Sequence, residues 1–188
     1  MKRPAAARAG EVRLIGGQWK RSKLSVPDRP GLRPTPDRVR ETLFNWLGQD
    51  LTGWRVLDAF SGSGALGFEA ASRGAAKVVM LERDAALVRS LQACAQRLRA
   101  GMVEVRCVDA LAWMAGAEAA AFDLVFIDPP FDAGLHAPAV AAAHRVLAPA
   151  GWLYVEAAQA MEPPAGLQFH RHLKAGAMHA HLWRRASA

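Results

Sequence analysis

Apolar residues recur along this chain in two distinct periods. From Arg55 onward, short and nearly all-apolar runs alternate with longer stretches rich in Ala, Leu and Arg; the runs are RVLDAF (55–60), KVVMLE (77–82), VEVRCV (103–108), FDLVFID (122–128) and GWLYVEA (151–157). A strand covered on both faces is apolar throughout, so this alternation predicts an α/β fold, a parallel sheet with helices on both sides. The tail differs. LQFHRHLK (167–174) and AMHAHLWR (177–184) alternate with period two around Ala175-Gly176, which predicts a closing antiparallel hairpin.

Ahead of this body, VRLIGGQWKRSKLSV (12–26) holds two β-prone runs around Gly16-Gly17 and predicts a tight hairpin. Four prolines in PDRPGLRPTP (27–36) make an extended linker. Thr35 and Pro36 then offer an N-cap and a first helical position, and Val39, Leu43, Phe44 and Leu47 recur at helical spacing, so 36–48 reads as an amphipathic helix. Three divisions follow: a disordered basic tail (1–10), a basic hairpin with its linker (11–35), and the main domain (36–188).

Composition sharpens this in one respect. Residues 1–55 carry 12 Lys and Arg against 5 Asp and Glu, whereas residues 56–188 carry 12 against 12, so the formal charge of +7 belongs to the N-terminal part. A basic appendage on a neutral body points to a polyanion, nucleic acid ahead of a membrane surface. No apolar run reaches the roughly 20 residues of a membrane span, and the first residues lack the apolar centre of a secretion signal. A cytoplasmic location and buried, reduced Cys94 and Cys107 follow as expectations.

The candidate chemistry lies where strands end. VLDAFSGSGALGFEA (56–70) contains Gly62, Gly64 and Gly67 as G-x-G-x-x-G between a strand and a helix, a loop whose backbone can approach a ligand closely. Glu82 ends the next strand 20 residues past Gly62, where a carboxylate can accept both ribose hydroxyls. So far a nicotinamide dinucleotide fits as well as any adenosine cofactor. Asp58, ahead of the glycines, would repel a pyrophosphate but suits an ammonium group, and Asp109-Ala110 places an acceptor for an adenine amine; together they describe S-adenosylmethionine. Helix capping is the plain alternative for Asp109 and Asp84. It explains Asp58 and Glu82 poorly, because both end strands.

Asp128 ends the fourth strand and opens the sequence Asp128-Pro129-Pro130-Phe131. The lone pair of a nucleobase amine is delocalised into its ring. Two acceptors aimed at the amine hydrogens localise that pair for attack, and here the Asp128 carboxylate and a Pro129 carbonyl held by proline geometry can supply them. Phe131 can stack on the base, worth about 1–3 kcal/mol. A carboxylate of ordinary pKa, about 4, is too weak to deprotonate a neutral amine, so Asp128 aligns and stabilises. A strand-ending Asp before a proline turn is the structural alternative.

These motifs, with RLIGGQWKRSKL and LRPTPDRVRETLFNWL, resemble the bacterial small-subunit ribosomal RNA guanine-N2 methyltransferases, the RsmD family, from about Val12 to the C-terminal hairpin. The resemblance implies the class I S-adenosylmethionine-dependent methyltransferase fold, Rossmann-like, with a mostly parallel seven-stranded sheet, an antiparallel C-terminal hairpin and a small N-terminal hairpin. It implies methyl transfer to the exocyclic N2 of one guanine in 16S rRNA, on the small subunit or an assembly intermediate, by a monomer. Asp128, Pro129, Pro130 and Phe131 would be catalytic. Thr35, Arg38, Asp58, Phe60, Ser61, Gly62, Gly64, Glu82, Arg83, Asp109 and Ala110 would hold the cofactor. Arg13, Trp19, Lys20, Arg21 and Lys23 would meet RNA, although packing of Trp19 on the body is a comparable reading.

Two H-x-H pairs, His170 with His172 and His179 with His181, remain outside this scheme. Alternation could gather them on one face as a zinc site, but Phe169, Leu173, Met178 and Leu182 claim the inward face, which leaves the histidines outside and no metal assigned; His136 and His144 read as ordinary helix residues. Three other functions stay open. A DNA adenine or cytosine amino-methyltransferase would share the acceptor loop, a nicotinamide oxidoreductase would explain only the glycine loop and Glu82, and a silent RNA-binding assembly factor would need no acceptor loop.

Overall fold

A computed structural model describes residues 10–27, 29, 32, 34–130 and 134–187. Residues 1–9 of the expected tail and Phe131 of the acceptor loop lie outside the described residues. In chain order the elements are β1 (Gly10–Arg13), β2 (Lys23–Val26), α1 (Asp37–Trp46), β3 (Arg55–Asp58), α2 (Ala65–Ser72), β4 (Lys77–Glu82), α3 (Ala85–Leu98), β5 (Val103–Cys107), α4 (Ala110–Gly116), β6 (Phe122–Ile127), α5 (His136–Val146), β7 (Leu147–Ala157), β8 (Leu167–Ala175) and β9 (Met178–Arg185).

Seven strands form one sheet in the order β5-β4-β3-β6-β7-β9-β8, and β1 pairs with β2 apart from it. Neighbouring strands from β5 to β7 run parallel, while β9 is antiparallel to both β7 and β8. The chain moves outward from β3 through β4 to β5, then returns to lay β6 on the other side of β3. That reversal opens a crevice at the carboxyl ends of β3 and β6, the usual ligand position in open α/β sheets.

Successive side chains of the central strands enter opposite cores. Val56, Leu124 and Phe126 join Leu43, Phe44 and Phe68 on the face covered by α1, α2 and α3. Leu57, Val125 and Ile127 join Val140, Ala143 and Val146 on the face covered by α4 and α5. Phe126 meets Phe44 and Tyr154 edge-on at 6.3 and 6.0 Å. Among the described residues, no helix is long and apolar enough to cross a membrane.

The N-terminal hairpin is built differently from the expectation. Strands β1 and β2 do pair, in the register Val12 with Leu24 and Arg13 with Lys23. Gly16-Gly17 is not their tight turn, because the connection runs from Leu14 to Ser22 and its glycines meet the end of α2. A Cβ on Gly17, whose φ is +71°, would lie 1.8 Å from the Ser72 carbonyl oxygen. Close approach, rather than a two-residue reversal, therefore requires glycine here. Val12, Leu14, Leu24 and Val26 are buried in the same core as α1 and α2.

Other corrections have local causes. Helix α1 begins at Asp37 and makes no side-chain cap bond, because the Thr35 hydroxyl is drawn away to Glu156. Strand β7 starts at Leu147 instead of 151, with a register shift opposite Phe122–Leu124. Cys94 is buried but Cys107 is exposed, since β5 is an edge strand; both are free thiols. The face assignment in the tail holds for Leu173, Met178 and Leu182, which pack on the core of α1 and α2, and fails for Phe169 and His181. A register shift between Phe169 and Arg171 turns the Phe169 ring to the face opposite Leu173, where it is 59% exposed, and His181, on the face opposite Leu182, is buried as well.

Candidate active site

The glycine loop joins β3 to α2 through two left-handed residues, Gly62 (φ +48°) and Gly64 (φ +79°). Gly67 serves packing instead, since a Cβ there would come within 3.0 Å of Asp58 and 3.1 Å of Met80. The Ser61 N–H donates to the Leu81 carbonyl at 3.0 Å, and its hydroxyl to the Asp58 carbonyl at 2.9 Å. Gly62 N–H donates to Glu82 Oε2 at 3.0 Å, and Asp84 N–H to Glu82 Oε1 at 2.8 Å. The loop and the Glu82 carboxylate are thus set against each other by the backbone itself, with a lone pair left on each oxygen.

A cleft of about 670 Å³ opens over this loop. Asp58, Phe60, Ser61, Gly62, Glu82, Arg83, Asp109, Ala110, Thr35, Asp128, Pro129 and Pro130 all line it. Gly64 supports the loop from behind, its would-be Cβ facing Leu91 and Phe68. Arg38 is exposed on α1 and does not line the cleft. Asp109 accepts from Ala112 N–H at 2.9 Å and Asp84 from Ala86 N–H at 2.7 Å, so both cap helices. For Asp109 capping and lining the cleft coexist.

The electrostatics are dominated by three acids. Asp58, 2% exposed, accepts from Gly67 N–H at 3.0 Å. Burial, with Glu82 and Glu156 nearby, nonetheless raises its carboxyl to about 7. Asp128 retains some surface toward the cleft, and enclosure beside Glu156 and Asp58 pushes its carboxyl well above the ordinary range. The ordinary value expected for it is therefore wrong for the free protein, because the strand ends bring three like charges together. Glu156 is raised by burial too, although it accepts hydroxyl hydrogen bonds from Thr35 at 2.8 Å and Tyr154 at 2.9 Å.

Sequence reasoning missed Glu156. Its signal matched that of Asp128, an acid inside the apolar run LYVEA, but no proline or turn drew attention to it. The walls contributed by Leu32, Pro34 and the β8–β9 turn at Gly176 and Ala177 were missed as well. His136, read as an ordinary helix residue, has Nε2 at 2.9 Å from the Glu156 carbonyl oxygen.

Among the described lining residues the cations are Arg29 and Arg83, and Arg29 pairs with Asp84 at 3.2 Å. A cleft with three enclosed acids and so little compensation fits a cationic ligand that also bears a ribose. It does not fit a pyrophosphate, whose charge the acids would oppose.

The expected RNA-contacting residues take separate positions on the hairpin. Arg13, Lys20, Arg21 and Lys23 are exposed. Lys23 pairs with Glu11 at 2.8 Å. Trp19 packs against the core of α1 and α2, and its N–H donates to Ser72 Oγ at 2.9 Å.

Known proteins share this arrangement. The profile of the conserved hypothetical protein 95 family matches residues 12–184. The Escherichia coli (strain K12) ribosomal RNA small subunit methyltransferase D is 41% identical over 194 residues, spanning 98% of this chain and 96% of that protein. The Haemophilus influenzae protein of the same name is 41% identical over 152 residues, 78% of this chain and 79% of its own length. The solved structure of the Escherichia coli protein yhhF, described as a candidate methyltransferase, superposes with a TM-score of 0.85 at 40% identity, covering 95% of this chain and 100% of that one. A matched family profile over nearly the whole chain, an identity above 40% end to end and a shared fold converge: this chain belongs to the conserved hypothetical protein 95 family, that of the small-subunit ribosomal RNA methyltransferases D.

Proposed function

We propose that this protein transfers a methyl group from S-adenosylmethionine to the exocyclic N2 amine of a guanine in 16S rRNA, in the cytoplasm, on the small subunit or its assembling precursor. The observation that carries the reading is the meeting of Asp58, Glu82 and the Asp128-Pro129-Pro130 segment on one cleft at the sheet's reversal point. Glu82 takes the ribose, Asp109-Ala110 the adenine edge, and Asp58 with Glu156 the cationic end. The cofactor supplies an electrophilic methyl group when bound.

The protein's own part is alignment. Positive charge in the cleft lowers the carboxyl pKa of Asp128, which is then an acceptor on both oxygens. Its carboxylate and the Pro129 carbonyl accept hydrogen bonds from the two amine hydrogens and free the nitrogen lone pair for in-line attack, and the carboxylate is placed to take the one proton that the nitrogen sheds once methylated. The target base must leave its stack to reach this depth, and the basic hairpin, Arg13, Lys20 and Arg21 foremost, holds the flanking backbone.

The test is methyl transfer from labelled cofactor to small subunits of cells lacking this protein, followed by mapping of the modified nucleotide. Label on one guanine is expected. Asp128→Asn should lower the rate at least about a hundredfold while the protein still binds cofactor. Label in duplex DNA instead, or full activity in Asp128→Asn, would overturn the reading.

A further inference from the structure

The C-terminal hairpin gathers three imidazoles that methyl transfer does not use. His179 and His181 are two residues apart on β9 and share a face, and His172 stands directly across from His181 on β8. The ring of His172 stacks on both partners, with centroids 5.1 Å from His179 and 4.9 Å from His181. One ring nitrogen of each lies within 4.8 Å of the others, and His172 Nε2 is already 2.9 Å from His179 Nδ1.

Zinc holds imidazole nitrogens at about 2.0–2.1 Å, so three ligands of a tetrahedral ion stand roughly 3.4 Å apart. The observed separations bracket that value, from 2.9 Å for His172 and His179 up to at most 4.8 Å. An outer partner is also present. His181, 1% exposed, has Nδ1 3.3 Å from the Val155 carbonyl, the kind of contact that fixes a ligand's tautomer. That leaves Nε2 as the outward lone pair, which now accepts the Met161 N–H at 3.0 Å. Met161 belongs to the connection between β7 and β8 and is half-buried, so its N–H can turn to water when a metal takes its place. His172 is exposed and His179 half-buried, which gives an ion its way in.

We propose that His172, His179 and His181 form a binding site for a divalent transition metal, zinc(II) first, with three imidazole ligands and a fourth position open to water. An all-nitrogen set selects zinc, copper or nickel over magnesium and calcium, which need oxygen ligands. Bound metal ties β8 to β9 just behind Gly176 and Ala177, and these line the cofactor cleft. The site would therefore stiffen one wall of that cleft.

The experiment uses the full chain, stripped with a chelator and titrated with zinc chloride against a chromophoric competitor. One equivalent should bind with a Kd below about 10 μM, and the thermal midpoint should climb with zinc concentration. His172→Ala and His179→Ala, both at accessible positions, should each weaken binding at least about tenfold. His170→Ala, whose ring packs on Trp152 instead, should not. Circular dichroism of each variant establishes that it has folded. Binding weaker than that limit, or binding of equal strength in folded His172→Ala and His179→Ala, would overturn the proposal.

Discussion

Arg40 and Glu69 meet at 3.2 Å with both side chains wholly shielded from solvent. Arg40 also donates to the carbonyls of Thr35 at 3.2 Å and Arg13 at 2.9 Å, and to the carboxylate of Asp37. Glu69 in turn accepts from Ile15 N–H at 2.9 Å and from Arg73 at 3.0 Å. One pair thus fastens the hairpin, the approach to α1, and α2. Removing one member of a buried pair strands the other, at a cost of about 3–5 kcal/mol. Glu69→Gln should lower the urea midpoint accordingly, and Glu69→Leu should recover part of the loss only when both of its buried cationic partners go too, as in Glu69→Leu with Arg40→Met and Arg73→Met.

Gly17 offers a test of close approach. Gly17→Ala adds strain at positive φ and drives a Cβ into the Ser72 carbonyl. Gly48→Ala meets the same kind of φ, +91°, with nothing within 4 Å. The second variant should lose about 1 kcal/mol, and the first at least twice that, read as thermal midpoints. Equal losses would mean that the connection readjusts freely.

The acids of the cleft make ligand binding depend on pH. Folding raises Asp58 from its ordinary 3.8 to about 7, chiefly through burial. The folded chain therefore keeps a proton that the unfolded chain sheds. Stability from this group is full below about pH 4 and is lost as pH rises to about 7. A cation in the cleft favours the ionised form, so cofactor binding between these values should release protons, and affinity should increase up to about pH 7 and then level. Calorimetry at pH 6 in buffers of different ionisation heat measures this release; proton uptake would contradict it.

On the hairpin, charge should act without affecting stability. Arg13→Ala and Lys20→Ala remove exposed cations and should leave the thermal midpoint within about 0.5 kcal/mol. Each should reduce the salt dependence of RNA binding by about 0.7–0.9 in slope. Lys23→Ala should do less, because Glu11 already engages that ammonium. Filter binding across a salt series is the measurement.

Local patterning disclosed most of the sheet. Fully apolar runs located the parallel strands, and glycines and prolines marked the loops at their ends. Partners far apart in sequence stayed hidden. Thr35 sits where an N-cap belongs, yet its hydroxyl serves Glu156, 121 positions away. No periodicity announces such a pairing. Asp128 stood out because prolines followed it, whereas Glu156 sat unremarked in an equally apolar strand, and the shift of Asp128 from an ordinary carboxyl needed both to be placed. The tail failed for a related reason: period two separates faces, but neither the register shift at Phe169 nor the second core that receives Trp183 beside His181 is written in that period.

The anchoring of the hairpin has a bearing on the order of synthesis. Residues 10–26 are made before α2, yet the carboxylate that receives the Ile15 backbone N–H lies 54 positions downstream and the hydroxyl that receives the Trp19 backbone N–H lies 53. These strands must wait for α2 before they can dock. The surface that carries Arg13, Lys20 and Arg21 is therefore completed only as the body forms, and a nascent or misfolded chain would not display its cations in that arrangement.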